Sequence, residues 1–132
     1  MFTCKWTGES GKSYTFQILP IDVTFDDIGC VYIYAKRVAD EKVTVTVSEK
    51  NANINVDVHA WQCTYVGQTS KLATRIDQHA SGTADSEKCI QRSGATHIHV
   101  HKLKTRQARI DVETDIRNGY AWRCNMQGDA VS

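Results

Sequence analysis

At 132 residues the chain suits one domain with a modest core, and 41% apolar with 23% charged residues is the composition of a globular protein, not of a disordered or fibrous one. A formal net charge of +1 gives no bulk sign of a nucleic-acid binder, so any basic surface must come from local clustering. The five cysteines, Cys4, Cys30, Cys63, Cys89 and Cys124, are odd in number and contain no CxxC pair, which argues against a disulfide framework or a structural zinc site and leaves reduced thiols as the simpler reading.

The N-terminal "MFTCKWTGESGK" lacks a basic region followed by an apolar run, and no stretch approaches membrane-spanning length, so a cytoplasmic location without a membrane partner is expected. Phe2, Cys4 and Trp6 alternate with polar residues, "TGESGK" supplies a turn, and Tyr14, Phe16 and Ile18 alternate again; a hairpin over 1–20 follows, closed by Pro20. "GCVYIYAK" at 29–36 is a further strand, with Val31 and Ile33 on one face and Tyr32 and Tyr34 on the other. The alternation in "KVTVTV" and "INVDVHAW" predicts a second hairpin over 40–60 that leads into the strand holding Tyr65.

From Thr69 onward Leu72, Ile76 and Ala80 fall at helical spacing, with Thr69 or Ser70 placed to cap the first turn. A shorter helix is predicted around 85–92, stopped by Ser93 and Gly94. "THIHVHKL" alternates strictly and reads as a strand with an apolar face and an imidazole face, and "TRQARIDVETDIRNGY" as a last helix ended by Gly119. The order β-β-β-(β)-β-α-α-β-α predicts an α+β domain: a small, mostly antiparallel central sheet with helices packed on its apolar side.

If Val31, Ile33, Val66, Ile98 and Val100 turn to the helices, then Tyr32, Tyr34, Tyr65 and the histidines His97, His99 and His101 share the opposite, polar face. Gly67 ends its strand without a side chain, which lets a ligand or another backbone approach. Lys71, Arg75 and His79 recur every fourth residue and form one basic stripe on the following helix. Each feature has an ordinary explanation: strand tyrosines are commonly structural, a basic stripe is commonly a solvated face, and Glu113 stands at ion-pair spacing from Arg109. The histidines of "HIHVH" lack a nearby cysteine or carboxylate at ligand spacing, so a solvated or partner-facing role ranks above a metal site.

Taken together, "CVY" at 30–32, "YVG" at 65–67, "QTSKLATRI" running on to Arg75, His79 four residues later, "RIDVETDIRNGY" with Glu113, and "YAWRCN" ending in Asn125 resemble the GIY-YIG nuclease domain. The likeness covers about 29–125, and the 1–20 hairpin is similar to that of small stand-alone bacterial members. Cys30 stands in place of the first glycine, the 40–60 hairpin is an insertion longer than the usual loop, and the prolines usual near the closing asparagine are absent.

The resemblance implies one domain over 1–132, with a GIY-YIG-like fold and a metal-dependent endonuclease activity on nucleic acid, DNA ahead of RNA. It implies Tyr32, Tyr65, Arg75, His79 and Glu113 as catalytic residues, Gly67, Lys71 and Asn125 in supporting or substrate-binding roles, and one Mg²⁺ or Mn²⁺ on Glu113. Arg75 then supplies a planar, permanent charge to the scissile phosphate. Tyr32 activates water, with Tyr65 or His79 relaying, although a phenol of pKa ~10 needs nearby cations to help. Lys71, Lys102, Lys104 and Arg106 are candidates for flanking phosphates. Two alternatives stand beside this reading: a nucleic-acid grip that has lost catalysis, and an interaction protein recruiting a partner or a second copy as a homodimer through the 40–60 hairpin.

Overall fold

The computed structural model describes residues 2–38 and 61–125. In chain order its elements are β1 (Thr3–Thr7), β2 (Ser13–Pro20), β3 (Cys30–Arg37), β4 (Trp61–Thr69), α1 (Leu72–Ser81), α2 (Asp85–Arg92), β5 (His97–Lys102) and α3 (Arg106–Gly119). The strands form one sheet in the order β1-β2-β5-β3-β4 with every pairing antiparallel, so the expected α+β class holds. The N-terminal hairpin forms as its alternation predicts, with Cys4 opposite Phe16 and Trp6 opposite Tyr14. The hairpin expected over 40–60 lies outside the described residues. Among those residues no helix is long and apolar enough to cross a membrane.

β3 lies between β4 and β5, and its residues from Cys30 to Ala35 are all buried. Both of its faces are therefore core. On one, Val31, Ile33, Ala35, Val66, Trp6, Phe16 and Ile116 pack together under α3; on the other, Tyr32, Tyr34, Tyr65, Ile98, Val100, Leu72 and Ile90 pack under α1 and α2. This corrects the facing expected from the pattern. β3 and β5 pair Ile33 with His99 and Tyr32 with Val100, so the histidines share a face with Val31 and Ile33, and Ile98 and Val100 share one with the tyrosines. The tyrosine face is covered, not open. Alternation separates two faces only when one is wet; in a strand buried on both, apolar and aromatic residues satisfy either side, and pairing register settles the partnership.

β4 is an edge strand whose outer side is closed by the chain after α3. Arg123 and Cys124 donate backbone N–H to the carbonyls of Cys63 and Thr64 at 3.1 and 2.8 Å. Cys124 is disulfide-bonded to Cys89 on α2, with Cα atoms 5.5 Å apart. The reading of wholly reduced thiols is thereby overturned for this pair, while Cys30 and Cys63 are free. An odd cysteine count excludes complete pairing, not a single bridge between segments that the fold brings side by side. The C-terminal half of α3 is fixed to the first hairpin: Asp115 accepts from Ser10 N and Oγ and from the Tyr14 hydroxyl, at 2.8, 2.6 and 2.7 Å.

Candidate functional site

The β4–α1 junction places the candidate residues. Lys71 is the N-cap of α1 but contributes no side-chain cap, and neither Thr69 nor Ser70 takes that role. Asp27 caps the helix from outside, accepting from Thr74 N at 2.9 Å and from Thr74 Oγ1 at 3.0 Å, and these bonds hold its pKa below the ordinary carboxylate value. With its start fixed, α1 turns Leu72 and His79 down onto the sheet, both 1% exposed. The expected basic stripe is thus split: Lys71 is exposed and His79 is core.

Four of the expected residues meet here. The Tyr32 hydroxyl lies 2.7 Å from His79 Nε2. The Tyr65 ring meets His79 edge-on at 5.1 Å between centroids and lies 6.2 Å from the Tyr32 ring. Gly67 makes the arrangement possible, because a Cβ there would stand 2.6 Å from the Tyr32 hydroxyl oxygen and 2.9 Å from the Tyr65 ring. The space a side chain would fill is taken by the phenol; it is not an opening for a ligand.

The electrostatics assign the protons. His79 is pushed down to about 3, by burial first and by the Arg75 charge second, so its imidazole is neutral at ordinary pH. Nδ1 is buried without a hydrogen-bond partner among the described residues; because the Arg75 guanidinium bonds to the Tyr32 oxygen, the phenol hydrogen is left for Nε2. Burial, then repulsion from Tyr65, raise Tyr32 well above the ordinary phenol value, with Arg75 working the other way. Burial weakens the charge on Arg75, but the Tyr32 and Tyr65 phenols favour it more, and its pKa rises. Arg75 Nη1 also donates to Gln78 Oε1 at 3.0 Å and lies 3.9 Å from Glu87.

Glu113 arrives from the other layer. It lies on α3, which packs on the Val31 and Ile33 face, and it is 2% exposed. Its ion-pair neighbour is Arg117 at 4.0 Å, one turn on, and not Arg109, one turn back, as the spacing suggested. The two layers come together at the end of β4. There a cavity of about 250 Å³ is lined by Gln68, Thr69, Ser70 and Arg75 on one side and by Arg106 and Arg109 of α3 on the other. Asn125 caps the same strand: its Oδ1 accepts from Val66 N and its Nδ2 donates to Val66 O, each at 2.9 Å, which orders the backbone beside Gly67.

Among the described residues no three or more His, Cys, Asp and Glu side chains are grouped to hold a metal ion, so a divalent cation at Glu113 would rest on one hard carboxylate oxygen donor and water. That donor type suits Mg²⁺ or Mn²⁺, which keep several waters.

The "HIHVH" histidines lie elsewhere, and the solvated role fails for the central one. His99 is fully buried, accepting from Trp6 Nε1 at 2.9 Å and meeting the Trp61 ring at 4.5 Å and 86°. His101 Nδ1 lies 2.8 Å from the Thr15 carbonyl, and His97 packs on Trp61. Sequence reasoning missed Asp27, Gln68 and Arg109. For Arg109 a signal was present: two arginines and no acid in the first turn of a helix, where negative side chains are the favoured kind.

No family model matches the chain, and no curated protein and no solved structure matches it.

Proposed function

We propose that this protein is a metal-dependent endonuclease that hydrolyses phosphodiester bonds of nucleic acid, DNA ahead of RNA. The observation that carries the reading is the Tyr32 hydroxyl 2.7 Å from His79 Nε2 and beside Arg75, next to a strand end that opens into an arginine-lined cavity. The order of the "CVY", "YVG", Arg75, His79, Glu113 and Asn125 motifs along the chain supports it.

A phosphodiester resists attack because its own charge repels the nucleophile, so the site must supply positive charge, an oriented water and a stabilised leaving group. Arg75 supplies the permanent charge and a planar fork for two phosphate oxygens. With the Tyr32 hydrogen directed at His79 and one lone pair of its oxygen on Arg75, the other lone pair is left to accept from the attacking water. As water loses a proton to Tyr32, the Tyr32 proton moves to His79 Nε2. In the empty site that transfer is opposed, since it would place an imidazolium in a buried position next to Arg75. An anionic phosphate beside Arg75 offsets the second cation, so the relay opens when substrate is bound. A Mg²⁺ or Mn²⁺ on Glu113 would neutralise charge on the departing 3′ oxygen. Asn125, through Val66, holds the strand that presents Tyr65 and Gly67.

One observation favours a second reading, a nucleic-acid grip that does not cut: Glu113 belongs to the layer opposite the tyrosines and neighbours Arg117. Nicking of supercoiled plasmid by the purified chain, with Mg²⁺, Mn²⁺ or chelator, separates the two. The enzyme reading expects metal-dependent nicking that falls at least ~10²-fold in Glu113→Gln and in Arg75→Ala while both variants melt as folded proteins. Binding of DNA without nicking under any of these conditions selects the second reading, and wild-type rates in either variant remove the mechanism.

A further inference from the structure

Arg109 is the one buried arginine among the described residues, at 6% exposure. Three bonds seat it: Nε donates to Gln68 Oε1 at 3.1 Å, and Nη1 donates to the carbonyls of Leu103 and Lys104 at 3.1 and 2.9 Å. Gly29 provides the room, since a Cβ there would lie 2.8 Å from Nη1 and 2.9 Å from the Leu103 carbonyl oxygen. A guanidinium fixed this firmly by neutral oxygens is held for its direction.

Its charge is not matched among the described residues. No carboxylate of the described residues forms an ion pair with it, and Nη2 has no hydrogen-bond partner among them. Arg106 lies in the same first turn of α3, which contains no acidic residue, so the helix places two cations at the end whose own dipole is already positive. Both features cost stability, and both are relieved by an anion. Access is also present. Arg109 borders the cavity it shares with Arg75, Arg106 and Ser70, and a second of about 500 Å³ that adds Lys102 and Lys104.

We infer that Arg109, with Arg106 and Ser70, forms a second phosphate-binding site, which takes the backbone phosphate flanking the one at Arg75 and sets the direction in which the strand crosses the end of β4. The inference rests on the nucleic-acid reading above, and adds to it a positioning site that the motif residues do not include. The two N–H groups of Nη2 are left to donate to phosphodiester oxygen, and the two lysines continue the track beyond it.

The test is binding of the full chain to a short fluorescent DNA duplex in chelator, followed by anisotropy at several salt concentrations for wild type, Arg109→Gln, Arg109→Lys and Arg106→Gln. Neutralising one phosphate contact in B-DNA contributes about 0.9 to the slope of log affinity against log salt. Arg109→Gln should lose about that amount and bind roughly tenfold more weakly, while Arg109→Lys keeps the slope. An unchanged slope in Arg109→Gln, with a normal melt, overturns the site. Should that variant fail to fold, Arg106→Gln, exposed and outside the buried network, must lower the slope, and an unchanged value there overturns it equally. Inorganic phosphate that perturbs the Arg109 Nε–H resonance while the DNA slope stays constant would mark a free-phosphate site and also overturn it. Nicking with an unchanged slope defeats this inference and spares the nuclease; a reduced slope without nicking does the reverse, and no nucleic-acid binding by wild type defeats both.

Discussion

His79 and His99 are matched in everything but their partners. Both are buried and both are pushed down to about 3, by burial first, then by Arg75 for His79 and His97 for His99, so each is a neutral imidazole in its own core. His99 accepts from the Trp6 indole at 2.9 Å, with Cys4 Sγ at 3.4 Å, under α3. An indole N–H donates and takes nothing back, and the aromatic rings around His99 close the site. His79 accepts from a phenol that can both give and receive a proton, and the next group along is Arg75 at a cavity. Burial and a shifted pKa are thus common to a packing histidine and a candidate catalytic one. What the partner can pass on separates them.

Removing each histidine's donor tests that separation, and the largest effect is expected at Tyr32. Tyr32→Phe removes the hydroxyl and keeps the ring, so nicking should fall ~10²- to 10⁴-fold. His79 Nε2 is left without its donor, which costs about 1–3 kcal/mol in denaturant melts. Trp6→Phe should do the opposite. It removes the indole donor to His99 Nδ1 and empties part of the indole volume, lowering stability by about 2–4 kcal/mol, with activity per folded molecule unchanged. If Tyr32→Phe nicks like wild type, or Trp6→Phe loses activity while folded, the contrast between the two faces is wrong.

Acid should act on the two histidines alike. In the unfolded chain each titrates near ~6.5, whereas the folded value is about 3, so the unfolded state takes up protons first as pH falls. Their neutral burial therefore costs nothing in stability above pH ~6.5. Below it, stability drops by up to about 1.4 kcal/mol per pH unit for each, until the folded value is reached. Chemical denaturation at pH 7 and at pH 5 should differ by about 4 kcal/mol in wild type, and replacing either histidine by Phe should halve the difference. A pH-independent midpoint over this range would mean that both rings take up protons in the folded state as readily as in the unfolded one.

The strands, helices and pairing of the first hairpin were legible because they rest on local periodicity and turn residues; α2 spans Asp85–Arg92, where its pattern placed it. The grouping of Tyr65, Arg75 and His79 was legible because strand end, glycine and helix are contiguous in sequence; Tyr32 joins them through its pairing with Gly67, and only the order of the motifs pointed to it. What failed depended on contacts distant along the chain. Which face the histidines share is decided by the β3–β5 register, and the Cys89–Cys124 bridge by how the last segment lies along β4. The side of the sheet from which Glu113 approaches is set by the path of α3, which no spacing within α3 encodes.

The smallest expected effect falls on Asp27, another long-range feature, and it probes how firmly α1 must be held for the tyrosine face to work. Asp27 binds both N–H and hydroxyl of Thr74, one residue before Arg75, so it fixes the turn from which the guanidinium departs. Asp27→Asn retains an oxygen for the Thr74 N–H, whereas Asp27→Ala retains none. Thermal melts should place Ala below Asn and Asn near wild type, with a spread smaller than that of Trp6→Phe. Nicking should fall in the same order. A helix that merely frays would lose stability and keep its rate per folded molecule, so a fall in that rate with the melt nearly unchanged would assign Asp27 to the aim of Arg75, and equal rates in all three proteins would leave it a structural cap on α1.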